Sequence, residues 1–159
     1  MNNNIKFKSD LKDGQYGEYV ISEFLKTKGF EIIDFNDDYK YDIMTKLNKR
    51  ELKFEVKTDR YEFYKKVSTN NLFIETMCSG KFSGIHTTQA DYFIYYLPDF
   101  EEGYFIKVKD LKELIKTPGL KVTEQSGDDG RVRGILINRK DEYLRGFFKV
   151  YTIPKDKFY

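Results

Sequence analysis

The chain has no tryptophan, a single cysteine and a single histidine, and each scarcity removes a class of chemistry. With Cys78 alone there is no internal disulfide, which suits a reducing cytoplasm. Cys78 and His86 by themselves make neither a zinc site nor a thiol–imidazole catalytic pair. No apolar run of bilayer length occurs, and Met1 to Asp10 is polar and basic. We therefore expect no signal peptide, no membrane partner and a cytoplasmic location. Internal repeats, coiled-coil heptads and glycine-rich phosphate loops are missing too, so no small-molecule cofactor is expected. Net charge is only +2, which is not the whole-molecule field of a strong nucleic-acid binder. Any such role must come from the local distribution of charge.

What is present is a 17% aromatic share, all Tyr and Phe, within 159 residues, which is enough chain to bury a core as one domain. The most informative stretch runs from Tyr41 to Lys57. Glu51-Leu52-Lys53-Phe54-Glu55-Val56-Lys57 alternates polar and apolar residues with period two, as a half-buried strand does. Leu52, Phe54 and Val56 then look inward, and Glu55 and Lys57 share the other face about 6–7 Å apart. Tyr41 to Leu47 reads as the preceding strand, with a turn at Asn48-Lys49. A hairpin loop of either 48–49 or 47–50 places Asp42 directly opposite Glu55, with Cβ atoms about 4.5–5.5 Å apart. Carboxylates that close repel unless one is protonated or a cation lies between them. Their oxygens suit a hard divalent ion, and Lys57 would stand beside it, able to hold a water or a phosphate oxygen. Alternating charges also decorate ordinary solvated sheets, so the elements around the hairpin carry part of the argument.

Upstream, residues 10–28 read as an amphipathic helix, with Ser9 or Asp10 as its cap and Gly29 just past its end. Val20, Ile21, Phe24 and Leu25 form its apolar stripe, Glu18 lies on that stripe, and Gly17 would allow close approach to the sheet. Further strands are expected at 30–35, 71–76, 91–97, 103–108, 134–138 and 147–153. A short helical piece is expected at 86–90, a helix at 109–116 and a flexible loop at 126–130. The last strands should extend the sheet or cover it. Arg131, Arg133, Arg139, Lys140, Arg145 and Lys149 form a basic cluster near the C-terminus that could frame a phosphate-tracking groove.

The order of helix with Gly17-Glu18, strand, strand with Asp42, and strand with Glu55-Val56-Lys57 resembles the PD-(D/E)XK nuclease superfamily. That group includes many type II restriction enzymes, archaeal-type Holliday junction resolvases and phage exonucleases. Residues 9–97 match its core in order, and Thr88-Gln89-Ala90-Asp91-Tyr92 is similar to a segment of related nucleases. Tyr41 departs from the pattern by standing where a proline usually precedes the aspartate. The resemblance implies an α/β protein with a restriction-endonuclease-like αβββαβ core, a central mixed sheet and C-terminal strand additions at 98–159. It implies that Asp42, Glu55 and the Val56 carbonyl ligate Mg²⁺, with Mn²⁺ able to substitute, and that Glu18 supports the metal. Lys57 would orient the attacking water. Lys81, Ser83, Thr87 and Gln89 would contact the DNA backbone with Ser79, and Lys65 and Lys66 would flank the site. The function so implied is a divalent-metal-dependent DNA nuclease, structure-selective or of low specificity, working as a homodimer. The alternative is a non-catalytic nucleic-acid- or protein-binding module on the same fold.

Overall fold

The computed structural model describes residues 3–36, 38, 40–127 and 130–155, with side chains from Lys12 onward apart from Ser126 and Gly127. Helix α1 (Asn3–Thr27) reaches back well before residue 10, because the residues ahead of Ser9 include no glycine or proline to break it. Its end is as expected. Gly29 is left-handed at φ +89, its N–H donates to the Lys26 carbonyl (3.0 Å), and the Phe30 N–H donates to the Leu25 carbonyl (3.1 Å). This paired closure satisfies carbonyls that the helix end would otherwise orphan.

A hairpin and an edge strand follow: β1 (Glu31–Phe35), β2 (Ile43–Leu47) and β3 (Arg50–Thr58). Then come α2 (Tyr61–Lys65), β4 (Asn71–Cys78), β5 (Lys81–Phe82) and a 3-10 turn at Gly84–His86. The chain continues through β6 (Tyr92–Leu97), β7 (Glu102–Lys107), α3 (Val108–Leu114), β8 (Lys121–Gly127), β9 (Gly130–Asn138), α4 (Glu142–Arg145) and β10 (Lys149–Thr152). Six strands form one mixed sheet in the order β1-β2-β3-β6-β7-β10, in which β3 and β6 are parallel and the other pairs antiparallel. Four strands, β5-β4-β9-β8, form a second, antiparallel sheet. The expected α/β architecture with a central mixed sheet is met.

Strand β6 lies in the middle and is buried from Phe93 to Leu97, as its unbroken apolar run requires. On one side Ile94 and Tyr96 pack with Phe54 beneath Val20, Ile21, Phe24 and Leu25 of α1. On the other, Phe93 and Tyr95 pack with Leu72 and Ile74 of β4, Ile137 of β9 and Leu111 of α3. The fully buried Tyr95 hydroxyl joins the two sheets by accepting from the Phe73 N–H (3.1 Å) and donating to Asp59. Burial and the Asp59 carboxylate hold that phenol well above its usual pKa, so it stays a donor.

Three expectations need correcting. Residues 86–90 do not form a helix: a 3-10 turn ends at His86, and buried Thr88 is held by tertiary bonds instead. Strand β8 was not foreseen, because its exposed residues include Val122 as their only large apolar side chain and so show no buried alternation. The 126–130 segment closes the β8–β9 hairpin with Gly127 paired to Gly130, while Asp128 and Asp129 lie outside the described residues. The two late strands expected from sequence divide their roles. β10 extends the central sheet beside β7, and β9 belongs to the covering sheet. Among the described residues, no helix is long and apolar enough to cross a membrane.

Candidate active site

The β2–β3 hairpin turns on Asn48 (φ 50) and Lys49 (φ 66), the left-handed pair that a two-residue loop needs for strands of right-handed twist. Its register runs from Leu47↔Arg50 to Ile43↔Phe54, the alignment expected for a 48–49 loop. Beyond that pair the ladder departs from regularity. The Asp42 N–H donates to the Phe54 carbonyl (2.9 Å), so Asp42 and Ile43 both face Phe54 in the two-against-one count of a β-bulge. Asp42 is therefore not squarely opposite Glu55. Its Oδ2 instead accepts the Val56 N–H at 2.6 Å, which ties it to the residue between Glu55 and Lys57.

Glu55 sits on β3 with a neighbour on each side, β2 and β6, and it aligns with Phe93. Its Oε2 accepts from the Thr88 hydroxyl (3.0 Å), whose single proton is shared with the Lys40 carbonyl at 3.2 Å. Thr88 Oγ1 in turn accepts the Ala90 N–H (3.2 Å), so three backbone segments meet at this hydroxyl.

Both carboxyls lose their usual acidity. Burial lifts Asp42 to about 6, against the opposing pull of the Val56 N–H. Burial and then the charge of Asp42 lift Glu55 to about 8, opposed by Thr88 and reinforced by Glu18 and Glu75. Neither Asp42 nor Glu55 has an ion-pair partner among the described residues. A concentration of half-buried negative charge of this kind is relieved by a proton or by a cation. Each carboxylate has one oxygen held by a donor, leaving Asp42 Oδ1 and Glu55 Oε1 as the hard oxygens that could take a cation. No group of three or more His, Cys, Asp or Glu side chains converges on one point among the described residues. A divalent ion held here would draw on these carboxylates together with water and substrate, the usual manner for Mg²⁺.

Glu18 reaches this neighbourhood from α1, as its effect on Glu55 records. The reason is Gly17. A Cβ built there would lie 1.7 Å from Thr58 Oγ1, so only glycine lets the helix cross β3 this closely. Lys57 is exposed on the same face of β3 as Glu55 and aligns with Tyr95. The Val56 side chain faces the α1 core, and its N–H is the Asp42 donor.

The expected DNA-contacting residues divide. Lys81 and Gln89 are exposed, the latter with its N–H bonded to the Lys40 carbonyl (2.7 Å). Ser83 donates to Glu75 Oε1 (2.7 Å) and Thr87 to the Gly84 carbonyl (3.3 Å), so both hydroxyl protons are used internally. Lys65 and Lys66 are exposed on α2 and its left-handed cap, beyond the C-terminal end of β3.

The C-terminal basic cluster does not hold together. Arg139 is buried, 3.1 Å from Glu62 and 3.6 Å from Glu102, with its guanidinium 4.3 Å from the Phe100 ring centroid. Arg131 and Arg133 pair with Glu124, and Lys149 lies over Tyr151 on the opposite sheet. Sequence reasoning passed over Thr88 and Glu75 as site residues. Thr88 stood in a quoted motif without a role. Glu75 is a lone acid in a strand of the second sheet, and only tertiary folding brings its charge to bear on Glu55.

Together these features define a mixed α/β fold with a carboxylate pair at the bulged end of its central hairpin. In particular, the fold is similar to that of the bacterial homing endonuclease I-Ssp6803I, with a TM-score of 0.53 over 86% of each chain and 13% sequence identity. No family model and no curated protein matches the chain.

Proposed function

We propose that this chain is a divalent-metal-dependent nuclease of the PD-(D/E)XK kind that hydrolyses DNA phosphodiesters. The observation that carries the reading is the half-buried pair Asp42 and Glu55, raised to about 6 and about 8 and held by the Val56 N–H and the Thr88 hydroxyl. A homing endonuclease shares this architecture at 13% sequence identity. Asp42 and Glu55, with the Val56 carbonyl, would hold Mg²⁺ or Mn²⁺, and Glu18 would support them through its own carboxylate. When bound, the metal supplies Lewis acidity toward the phosphoryl oxygen and a more acidic water. The chain's own residues do the rest. Thr88 and Val56 fix the two carboxylates before substrate arrives, so little reorganisation is needed. Lys57, cationic on the same face, orients the attacking water and offsets charge growing on the phosphate. The finer reading is structure-selective or low-specificity endonuclease action in a homodimer, as the resemblance to the superfamily implies.

The test is cleavage of supercoiled plasmid, linear duplex, single strand and four-way junction, with Mg²⁺, Mn²⁺ or EDTA, by wild type and Glu55→Ala. Metal-dependent cutting lost in the variant is the expected result, and the preferred substrate names the branch. Retained DNA binding with no cutting under any condition would replace this reading with that of a non-catalytic binding module.

A further inference from the structure

A groove of about 490 Å³ is lined by cations from three separate elements. Arg50 comes from the first position of β3, Lys107 from the end of β7, and Lys109 and Lys112 from successive turns of α3. Arg50, Lys107 and Lys109 are exposed and Lys112 is half-buried. None of the four has an ion-pair partner among the described residues. Asp91 also lines the groove, its Oδ2 accepting the Lys53 N–H at 2.8 Å, and the four cations outnumber this single acid. Unpaired cations along one groove make a local positive field that favours a polyanion laid along it. Flexible ammonium groups around an open groove suit point contacts to successive phosphates better than bidentate recognition of one buried anion.

The groove also joins the candidate active site through one side chain. Thr88 is part of its lining and, 3.0 Å from Glu55, donates to that carboxylate. Gln89, exposed, follows it along the groove. A strand whose phosphates occupy the groove would therefore run toward Glu55.

We propose that the Arg50–Lys107–Lys109–Lys112 groove binds the phosphodiester backbone of DNA flanking the bond to be cut. This rests on the nuclease reading above and adds to it a track for the substrate that overall charge and sequence clusters do not reveal.

The experiment measures binding of a short fluorescent DNA duplex by anisotropy across a salt series, in EDTA so that nothing is cut. Wild type is compared with the triple variant Arg50→Gln, Lys109→Gln, Lys112→Gln. A control triple variant, Lys26→Gln, Lys121→Gln, Lys140→Gln, removes the same charge from other surfaces. Affinity of the groove variant should fall at least ~tenfold, and its slope of log K against log salt should be shallower by about 2–3, with the control near wild type. Equal effects of the two triple variants, or no effect of either, overturn the groove while metal-dependent cutting by wild type keeps the nuclease reading intact. Wild type that neither binds nor cuts DNA overturns both.

Discussion

Asp42 and Glu55 carry opposing demands: the fold buries them, and the chemistry asks them to be charged. Their raised pKa values turn this conflict into a measurable pH dependence. Well below the ordinary carboxylate values of 3.8 and 4.5 both groups hold protons in the folded and the unfolded chain alike. As pH rises, the unfolded chain releases its protons first, while the folded chain keeps them to about 6 at Asp42 and about 8 at Glu55. Folded stability without metal therefore declines across that window, since the unfolded state gains more from deprotonation. Glu55→Gln removes the larger shift, so the variant should exceed wild type at pH 8 in EDTA by on the order of 2 kcal/mol and show a flatter pH profile. Urea unfolding at pH 5 and pH 8 decides it, and a variant with the wild-type slope would contradict the assignment. With EDTA omitted, Mg²⁺ should raise the melting temperature of wild type and leave Glu55→Gln nearly unmoved.

At the scale of elements, the hairpin and α1 set the geometry that those residues inherit. The alternation from Glu51 to Lys57 and the Asn48-Lys49 turn made the hairpin register legible, because one face must be buried and a short loop fixes the pairing. The bulge at Asp42 was not legible. It depends on the Asn36 N–H donating to the Asp42 carbonyl (2.9 Å) from β1's side and the Asp42 N–H donating to Phe54 (2.9 Å) on the other. Gly17 was readable as a close-approach residue, and the structure supplies its contact, Thr58. Gly17→Ala should force α1 away from β3, costing about 1–3 kcal/mol in urea unfolding. It should also shrink the Mg²⁺-induced rise in melting temperature, because Glu18 moves with the helix. Loss of stability with the full metal response retained would detach Glu18 from the site.

Over the whole molecule, a buried ion pair fastens the covering sheet to the central one. Arg139, at the end of β9, meets Glu62 of α2 and Glu102 of β7, and the second Glu62 oxygen accepts the Thr69 and Asn70 N–H groups at 2.7 and 2.5 Å. Arg139→Ala strands these carboxylates and should cost about 3–5 kcal/mol, whereas Arg139→Met keeps the packing over Phe100 and should cost less. Chemical denaturation of the two variants separates charge from packing: equal losses would assign the effect to the lost charge alone, and a near-wild-type Met variant would assign it to packing. The sequence by itself determined the local grammar of this protein: the periodicity of β3 and α1, the turn, the helix end at Gly29, and the candidates Asp42, Glu55, Lys57 and Glu18. These follow from side-chain direction and backbone preference within a few residues. Tertiary structure alone decided that Arg139 is interior, that Thr88 and Glu75 act on Glu55, and that Arg50 and the α3 lysines share a groove. Those outcomes depend on contacts between residues far apart in the chain, whose burial and electrostatics no local pattern encodes.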